Sequence, residues 1–265
     1  MKKKKGTDIT VVLPVHELDD KTKDLYGNAI KSIEMQKVRP DEVIIVVPKG
    51  SDIKDFVSAF DYEDVKALIR VVENDGETDF ASQLNYGVSQ ANTAWFSFLE
   101  YDDEYQANWF KNVVKYIDAH DDVEIFLPII VDVDGNNQFI GFTNEAVWAN
   151  KFSDEIGVLD NSALLRYQNF NIDGFVMKKD VYESKGRIKP SIKLTFIYEF
   201  LLRMTFNDVR IMTIPKFGYK HMNQREGSLF HTYKEQLNPA EAQWWLSQAK
   251  KEYYFPHDRN ITYDE

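Results

Sequence analysis

The sequence predicts an α/β fold: a mixed, mainly parallel β-sheet flanked by helices, in a single domain that ends in a C-terminal helix. Three observations support this class. Runs of β-branched and apolar residues alternate with amphipathic stretches, each run ends in a polar turn, and no internal repeat or linker interrupts the order. A continuously apolar run is typical of a strand that is buried on both faces of a parallel sheet.

Four strands and three helices are predicted in the first hundred residues. The strands are expected at 8–16, 41–48, 66–74 and 94–100, and the helices at 22–36, 53–61 and 79–92. Because each helix carries the chain back across the sheet, neighbouring strands are expected to be parallel. Such sheets bind ligands at the carboxyl ends of their strands. Here those ends are His16–Glu17, Pro48–Asp52, Asn74–Gly76 and Glu100–Asp103.

The pattern changes after residue 105. A helix is predicted at 106–119, and two β-like runs around an Asp-Gly-Asn-Asn turn predict a hairpin at 122–142. A polar, irregular region at 143–170 is expected to bind an acceptor or to act as a lid. A strand that enters a short helix then follows, and after it come a helix at 191–206, a last strand at 209–219, and a terminal helix capped by Asn238-Pro239.

Charge and residue content exclude several classes of protein. The chain has 32 basic and 43 acidic residues, a formal charge of −11, which disfavours a general nucleic-acid binder. The absence of cysteine excludes disulfides, thiolate nucleophiles and cysteine-ligated zinc. The apolar run after the N-terminal lysines is far shorter than the ~20 residues that span a bilayer. We therefore expect a cytoplasmic protein without a membrane span.

Three carboxylates follow the fourth strand directly. The segment 95–105, WFSFLEYDDEY, is apolar and aromatic up to Glu100, Asp102 and Asp103. Like charges this close repel one another, so their grouping requires an explanation. One interpretation is an N-cap with acidic residues in the first turn of the next helix. The other is a binding site for a divalent cation.

Six segments occur in an order that carries a resemblance to a known family. They are VVLPVHE (11–17), SIEMQKVRPDEVIIV (32–46), ENDG (73–76), LNYGVSQANTAWFSFLEYDD (84–103), IDGFVMKKDVYESKG (172–186) and YEFLLRMTFNDVRIMTIPK (198–216). Their order resembles that of the GT-A glycosyltransferases, in the large family that contains chitin and hyaluronan synthases and O-antigen sugar transferases. The resemblance covers about residues 8–220, and its specificity lies in the order of several weak motifs.

The resemblance implies a metal-dependent glycosyltransferase that moves a sugar from a nucleotide-sugar donor to a hydroxyl group. It implies a GT-A core at 1–220, with a nucleotide half at about 8–105 and an acceptor half at about 106–220. A C-terminal loop and helix would occupy 221–265. The implied cofactor is Mn²⁺ or Mg²⁺, with Asp102 as main ligand and Glu100 and His221 beside it, while Asp103 caps the helix.

The resemblance also implies which residues contact the nucleotide, at the strand ends and in the helix before the acidic run. The predicted contacts are Pro14, His16, Glu17, Lys49, Ser51, Asn74, Asn85 and Tyr101. Lys216 and Arg225 are further candidates for contacts with phosphates.

The chain departs from the family pattern at three places. Pro48 and Lys49 stand where the family usually has an Asp pair that contacts the base, and Leu84 replaces a common arginine. The catalytic Glu-Asp pair of the family falls on Phe196 and Ile197. Another carboxylate would then have to take the proton of the acceptor, and two are candidates. Glu199 is narrowly preferred because its helix would hold it rigidly, and Asp173 is the other.

Several alternatives stay open at this stage. The chain could be a catalytically degenerate GT-A-fold binding protein, or a glycosyltransferase that acts on a modified DNA base. The acceptor hydroxyl could belong to a glycan, a lipid-linked sugar, a protein or a modified nucleic acid. The acidic charge argues mildly against DNA.

Overall fold

A computed structural model of the protein describes residues 6–19, 22–145, 158–223, 225 and 235–263. Within these ranges the strands, in chain order, are β1 (Ile9–Pro14), β2 (Glu42–Pro48), β3 (Ile69–Asn74), β4 (Trp95–Phe98), β5 (Glu104–Tyr105), β6 (Ile125–Val133), β7 (Phe139–Thr143), β8 (Val158–Leu159), β9 (Val176–Lys178) and β10 (Ile211–Met222). The helices are α1 (Lys23–Glu34), α2 (Ile53–Ala59), α3 (Phe80–Gln90), α4 (Trp109–Ala119), α5 (Asn161–Arg166), α6 (Lys179–Ser184), α7 (Phe196–Phe206) and α8 (Pro239–Glu252). A 3₁₀ helix precedes β3 (Glu63–Leu68).

The strands form one mixed sheet. Their order is β3-β2-β1-β4-β9-β6-β10-β5, with β7 paired to β6 and β8 paired to β10. The first four strands run parallel to one another, as do β6 and β10. β9 lies antiparallel between β4 and β6 and so joins the two halves of the sheet. The longest pairings are parallel, and the predicted fold class is confirmed.

Strands β1, β2 and β4 are buried on both faces of the sheet. Every residue of β1 is buried. Val11 packs in a cluster with Ile33 of α1, whereas Val12 packs on the other face of the sheet in a cluster with Leu84 of α3. Full burial of one such aliphatic side chain contributes roughly 1.5–3 kcal/mol. Burial on both faces explains why these strands lack an apolar–polar alternation.

The predicted hairpin is confirmed. β6 and β7 pair antiparallel, and the Asp134 carboxylate accepts hydrogen bonds from the backbone N–H groups of Asn136 and Gln138 in the turn. Asn137 has φ +62°, a left-handed conformation that asparagine tolerates better than most residues. The turn chemistry therefore agrees with the local sequence.

Three predicted boundaries are corrected. The third strand starts at Ile69 because the preceding residues form a 3₁₀ helix, and the helix predicted from 106 begins at Trp109, after the short β5. The last strand continues past 219 to Met222, because its end pairs with β6 up to Val133. This extension brings His221 into the sheet. The division of the chain at residue 220 stays a prediction.

The C-terminal helix packs on the core. Asn238 caps α8 through its side chain, which accepts from the backbone N–H of Glu241, and Pro239 occupies the first turn. Ala249 and Tyr253 join the same apolar cluster as Leu201 of α7. Among the described residues, no helix combines the length and the apolar character that crossing a membrane requires.

Candidate active site

Two aspartates and a histidine from distant parts of the chain meet beyond the carboxyl end of β4. Asp103 follows that strand, Asp173 precedes β9, and His221 lies near the end of β10. Their nearest ligand atoms all lie within 4.8 Å of one another. We call Asp103, Asp173 and His221 the Asp-Asp-His group. Two carboxylate oxygens and an imidazole nitrogen form a donor set that can hold a divalent cation.

Asp103 is almost completely buried, and its side chain is only half paired. Its Oδ1 accepts a hydrogen bond of 2.7 Å from the backbone N–H of Met222. Its Oδ2 is buried and has no hydrogen-bond partner among the residues that the structure describes. The N-cap residue of α4 is Asn108, so the prediction that Asp103 caps this helix is wrong. Burial, together with the charges of neighbouring aspartates, raises the pKa of Asp103 well above its usual value.

Asp132 of β6 orients the histidine. The Nδ1 atom of His221 lies 3.0 Å from Oδ1 of Asp132 and 3.8 Å from Oδ2 of Asp173. Burial alone would lower the pKa of His221, but the surrounding carboxylates, Asp103 foremost, raise it well above 6.5. Contact with Asp132 through Nδ1 leaves Nε2 as the nitrogen for a metal ion.

Asp173 is buried at a backbone position that requires glycine next to it. Gly174 has φ +68°, and a Cβ atom there would lie 2.3 Å from the ring of Tyr219. The carbonyl of Gly174 accepts a hydrogen bond of 2.8 Å from the Trp109 indole. Burial raises the pKa of Asp173 to about 6, and the charge of Asp132 adds to this effect against the opposing effect of His221.

The predicted metal ligand Glu100 borders the Asp-Asp-His group. Its backbone N–H donates to the Tyr219 hydroxyl at 3.1 Å, which ties the end of β4 to β10. Burial and the charges of Asp103 and Asp173 raise the pKa of Glu100 well above its usual value. A further negative charge at Glu100 is therefore disfavoured in a region that already holds an excess of carboxylates.

The other predicted metal ligand, Asp102, is paired with an arginine. Arg225 donates from Nε to Asp102 at 2.7 Å and from Nη2 to the Tyr101 hydroxyl at 2.7 Å, and its Nη2 lies 3.4 Å from Glu17. Asp102 is thus absent from the Asp-Asp-His group, and the structure pairs His221 with Asp103 and Asp173 instead. Sequence reasoning missed this arrangement, because a backbone amide 119 residues away holds Asp103.

Four predicted nucleotide contacts lie at the end of β1 and beside it. Pro14 ends β1, and His16 and Glu17 follow it. Tyr101 donates to Glu17 at 2.5 Å and packs edge-on against the His16 ring, with 5.7 Å between ring centroids. Nδ1 of His16 is buried and has no hydrogen-bond partner within the described part of the chain, and burial lowers the pKa of this histidine. The structure thus brings these residues together in one cluster next to Asp102.

The remaining predicted nucleotide contacts have local roles. Asn74 closes a turn, because its amide donates to the Glu77 carbonyl and accepts from the Gly76 N–H. Ser51 donates to the Pro48 carbonyl. The Lys49 side chain is exposed and lies 3.5 Å from Asp75.

Asn85 connects α3 to the segment after α6. Its side chain accepts from the Tyr182 hydroxyl and donates to the Ile188 carbonyl at 2.9 Å. Both ends of its amide are therefore used in packing contacts.

Glu199 lies in a different environment from the Asp-Asp-His group. It is fully buried, with Oε1 2.8 Å from Lys189 Nζ and 2.8 Å from Arg203 Nε. Arg203 also donates to the carbonyls of Lys185 and Arg187. We call Lys189, Glu199 and Arg203 the ion triad. A base must reach the acceptor proton, so complete burial between two cations argues against the earlier preference for Glu199.

The position of the family's catalytic pair is apolar and packed. Phe196 contacts Phe80 of α3, with 6.1 Å between ring centroids, and both Phe196 and Ile197 pack against the core. Of the two candidates for the missing base, only Asp173 lies with the acidic residues at the end of β4.

The fold and the site agree with a family of sugar-transferring enzymes. Residues 10–177 match the family described as Glycosyl transferase family 2. The match covers more than half of the chain, and the chain belongs to this family. The predicted GT-A resemblance is confirmed. No curated protein sequence matches the chain.

Solved structures of S. aureus TarS share the fold. The structure of TarS 1-349 in complex with UDP-GlcNAc has a TM-score of 0.67 at 15% identity, over 92% of this chain and 66% of that one. The UDP complex of TarS 1-349 has a TM-score of 0.63 at 15% identity, over 93% of this chain and 72% of that one. A further TarS structure has a TM-score of 0.59 at 14% identity. That match covers 93% of this chain but only 43% of the TarS chain, so this chain spans less than half of its length. At 14–15% identity, these matches establish a shared fold and nothing more.

Proposed function

We propose that this protein is a metal-dependent glycosyltransferase that moves a hexosyl or pentosyl group from a nucleotide-sugar donor to a hydroxyl acceptor. One observation carries the proposal: a family 2 chain gathers Asp103, Asp173 and His221 at the carboxyl end of a central parallel strand. Ligands of parallel sheets bind at this end. A cytoplasmic location is part of the same proposal.

The Asp-Asp-His group fits a divalent cation. Oδ2 of Asp103 is a buried oxygen without a partner among the described residues, and such a group costs about 1–3 kcal/mol unless something pairs with it. Burial, and after it the charges of neighbouring carboxylates, raises the pKa values of Glu100, Asp103 and Asp173. A bound cation would remove both penalties. Mn²⁺ or Mg²⁺ would stabilise the diphosphate leaving group.

The residues of the nucleotide half are proposed to hold the donor. His16, Glu17 and Tyr101 form a cluster at the end of β1 that suits the nucleoside, and Arg225 lies beside them with a charge that suits the diphosphate. TarS was solved with UDP and with UDP-GlcNAc, which supports a nucleotide-sugar donor as the ligand class. Lys49 cannot accept a hydrogen bond from a ring N–H, so the preference for uracil is expected to be relaxed.

Asp173 is proposed as the general base. Its carboxyl group belongs to the Asp-Asp-His group, so the proposal gives its two oxygens separate roles: one binds the cation and the other faces the acceptor hydroxyl. Asp173 would accept the proton of the acceptor hydroxyl as that oxygen attacks the sugar. The acceptor hydroxyl is proposed to belong to one of four classes of compound: a glycan, a lipid-linked sugar, a protein or a modified nucleic acid.

The test is donor hydrolysis with a panel of UDP-, GDP-, ADP- and CDP-sugars. We expect release of nucleoside diphosphate with Mn²⁺ or Mg²⁺, loss of release with EDTA, and recovery when the metal is added back. Asp173→Asn should lower turnover by ~10²-fold or more at an unchanged melting temperature. Turnover that is insensitive to EDTA would overturn the metal dependence.

A second candidate function is a binding protein without catalytic activity. The apolar residues Phe196 and Ile197, at the position of the family's catalytic pair, favour it. Metal-dependent nucleotide binding without turnover of any donor in the panel would select this alternative. Turnover with any donor would exclude it.

A further inference from the structure

Two consecutive residues at the end of β7 are connected to two members of the Asp-Asp-His group. Thr143 donates from its hydroxyl to Oδ2 of Asp132 at 2.7 Å. The other oxygen of Asp132, Oδ1, lies 3.0 Å from Nδ1 of His221. The Thr143 hydroxyl therefore fixes the rotation of the carboxylate that in turn orients the histidine ring.

The next residue, Asn144, is fully buried and connects to the other side of the site. Its Nδ2 donates to the carbonyls of Pro128 and Asn171 at 2.9 Å each, and its Oδ1 accepts from the Asn171 N–H at 2.9 Å. Both amide hydrogens and the oxygen are used. Asn144 has φ +67°, a conformation that few residues other than glycine and asparagine adopt readily.

Asn171 passes this connection on to Asp173. Its Nδ2 donates to Oδ2 of Asp173 at 2.5 Å, and its Oδ1 accepts from the Ile172 N–H at 2.7 Å. The backbone of Asn171 is held on both sides by Asn144, so the direction of its side chain is set by a buried residue of another element. A chain of hydrogen bonds thus runs from Asn144 through Asn171 to Asp173.

We propose that Thr143 and Asn144 form a positioning dipeptide that sets the geometry of the cation site through Asp132 and Asn171. Neither residue belongs to the Asp-Asp-His group itself. Each fixes a ligand that would otherwise rotate, one from β10 and one from the segment before β9. Thr143 and Asn144 are adjacent at the end of one strand, so the positions of both ligands are set relative to that strand. The proposal rests on the metal dependence proposed above.

Hydrogen bonds around a ligand act on metal affinity in a known way. A carboxylate that accepts from one histidine nitrogen selects the tautomer in which the other nitrogen binds the metal, and loss of such a partner weakens metal binding by 10–100-fold. Asp132 is that carboxylate here. Without the Thr143 hydroxyl, its Oδ2 loses a donor and the carboxylate gains rotational freedom.

The test compares three threonine variants. Thr143→Val keeps the shape of the side chain and removes the hydroxyl, whereas Thr143→Ser restores a hydroxyl. Thr213→Val is the matched control, because Thr213 lies on the same strand as His221 and its buried hydroxyl has no hydrogen-bond partner in the described ranges. The measurement is calorimetric titration of the nucleotide-free protein with Mn²⁺, alongside the melting temperature of each metal-free variant.

We expect Mn²⁺ to bind Thr143→Val about 10-fold or more weakly than the parent, in line with the usual loss of an outer hydrogen bond. Thr143→Ser and Thr213→Val should bind it with parental affinity. In ¹⁵N-histidine spectra recorded at a pH high enough for His221 to be neutral, with its signals assigned from His221→Gln, the Thr143→Val protein should lose the single tautomer of the parent. Neither the metal affinity nor the tautomer would change in this way if the hydroxyl only held the hairpin.

Asn144→Gly tests the other half of the dipeptide. Glycine tolerates the left-handed backbone and removes only the amide, so weaker Mn²⁺ binding is expected while His221 keeps its tautomer. Parental Mn²⁺ affinity in both Thr143→Val and Asn144→Gly would overturn the inference and leave the proposed function standing. A parent protein that binds neither Mn²⁺ nor Mg²⁺ would overturn both.

Discussion

The ion triad and the Asp-Asp-His group are both buried, but their charges are balanced differently. In the ion triad a single carboxylate, Glu199, lies between two cations, and Arg203 also donates to backbone carbonyls. The Asp-Asp-His group has two carboxylates and one histidine, with Glu100 and Asp132 adding further negative charge. Burial of charged residues is therefore common to the ion triad and to the proposed metal site. Charge without a compensating partner distinguishes the proposed site.

The largest expected effect is on the ion triad. Glu199→Gln would leave Lys189 and Arg203 buried without their counter-charge, and removal of one partner of a buried pair costs about 3–5 kcal/mol. Denaturant unfolding should show a loss of this size. Glu183→Gln is the matched control, because its pair with Arg187 is partly exposed, and a change of at most ~1 kcal/mol is expected.

A different outcome would reverse the comparison. If Glu199→Gln unfolded at the parental denaturant concentration but lost ~10²-fold in turnover, Glu199 would be the general base that the sequence suggested.

The next effect concerns the choice of metal ligands. Asp103→Asn keeps an oxygen for the Met222 N–H but removes the negative charge, so Mn²⁺ affinity should fall about 100-fold, or ~2.7 kcal/mol. The metal-free variant should be as stable as the parent or more stable, because it lowers the like-charge repulsion. The melting temperature without metal measures the stability, and its increase on addition of Mn²⁺ measures the affinity.

Asp102→Asn serves as the comparison variant, since sequence reasoning made Asp102 the main ligand. We expect it to lose less Mn²⁺ affinity than Asp103→Asn, because Asp102 is already paired with Arg225. The opposite order would support the ligand set inferred from the sequence.

The smallest effect is expected at Arg225, and its sign depends on the ligand. Arg225→Met removes a cation next to the acidic residues, so Mn²⁺ alone should bind a few-fold more tightly. The same change removes the proposed diphosphate contact, so the donor should bind more weakly. Arg187→Met, at an exposed pair, should alter neither affinity. If the affinities for Mn²⁺ and for the donor fell by the same factor in Arg225→Met, Arg225 would act only through folding.

The first half of the fold could be predicted because local patterns determine it. The apolar runs and amphipathic stretches of β1–β4 and α1–α3 each depend on residues that are close in sequence. The placement of β9 between β4 and β6 could not be predicted this way. Its three residues are too short for a periodic pattern, and their partners lie about 50 and 80 positions earlier in the chain.

The same limit explains the outcome at the site. The acidic run showed where a ligand could bind, but not which carboxylate would be buried, because the Met222 N–H and His221 come from a distant strand. Glu199 and Arg203 lie four residues apart on α7, and helical spacing alone brings such residues together. Lys189, which comes from the loop before α7, completes the triad, and no local pattern indicates that contact.

Gly174 has a consequence for any attempt to alter this protein by directed evolution. A side chain at this position would strike the Tyr219 ring, which also holds the end of β4 through the Glu100 N–H. A library designed to change the proposed acceptor should therefore keep the Asp173-Gly174 dipeptide constant. Gly135, where a Cβ atom would meet nothing within 4 Å, can be randomised.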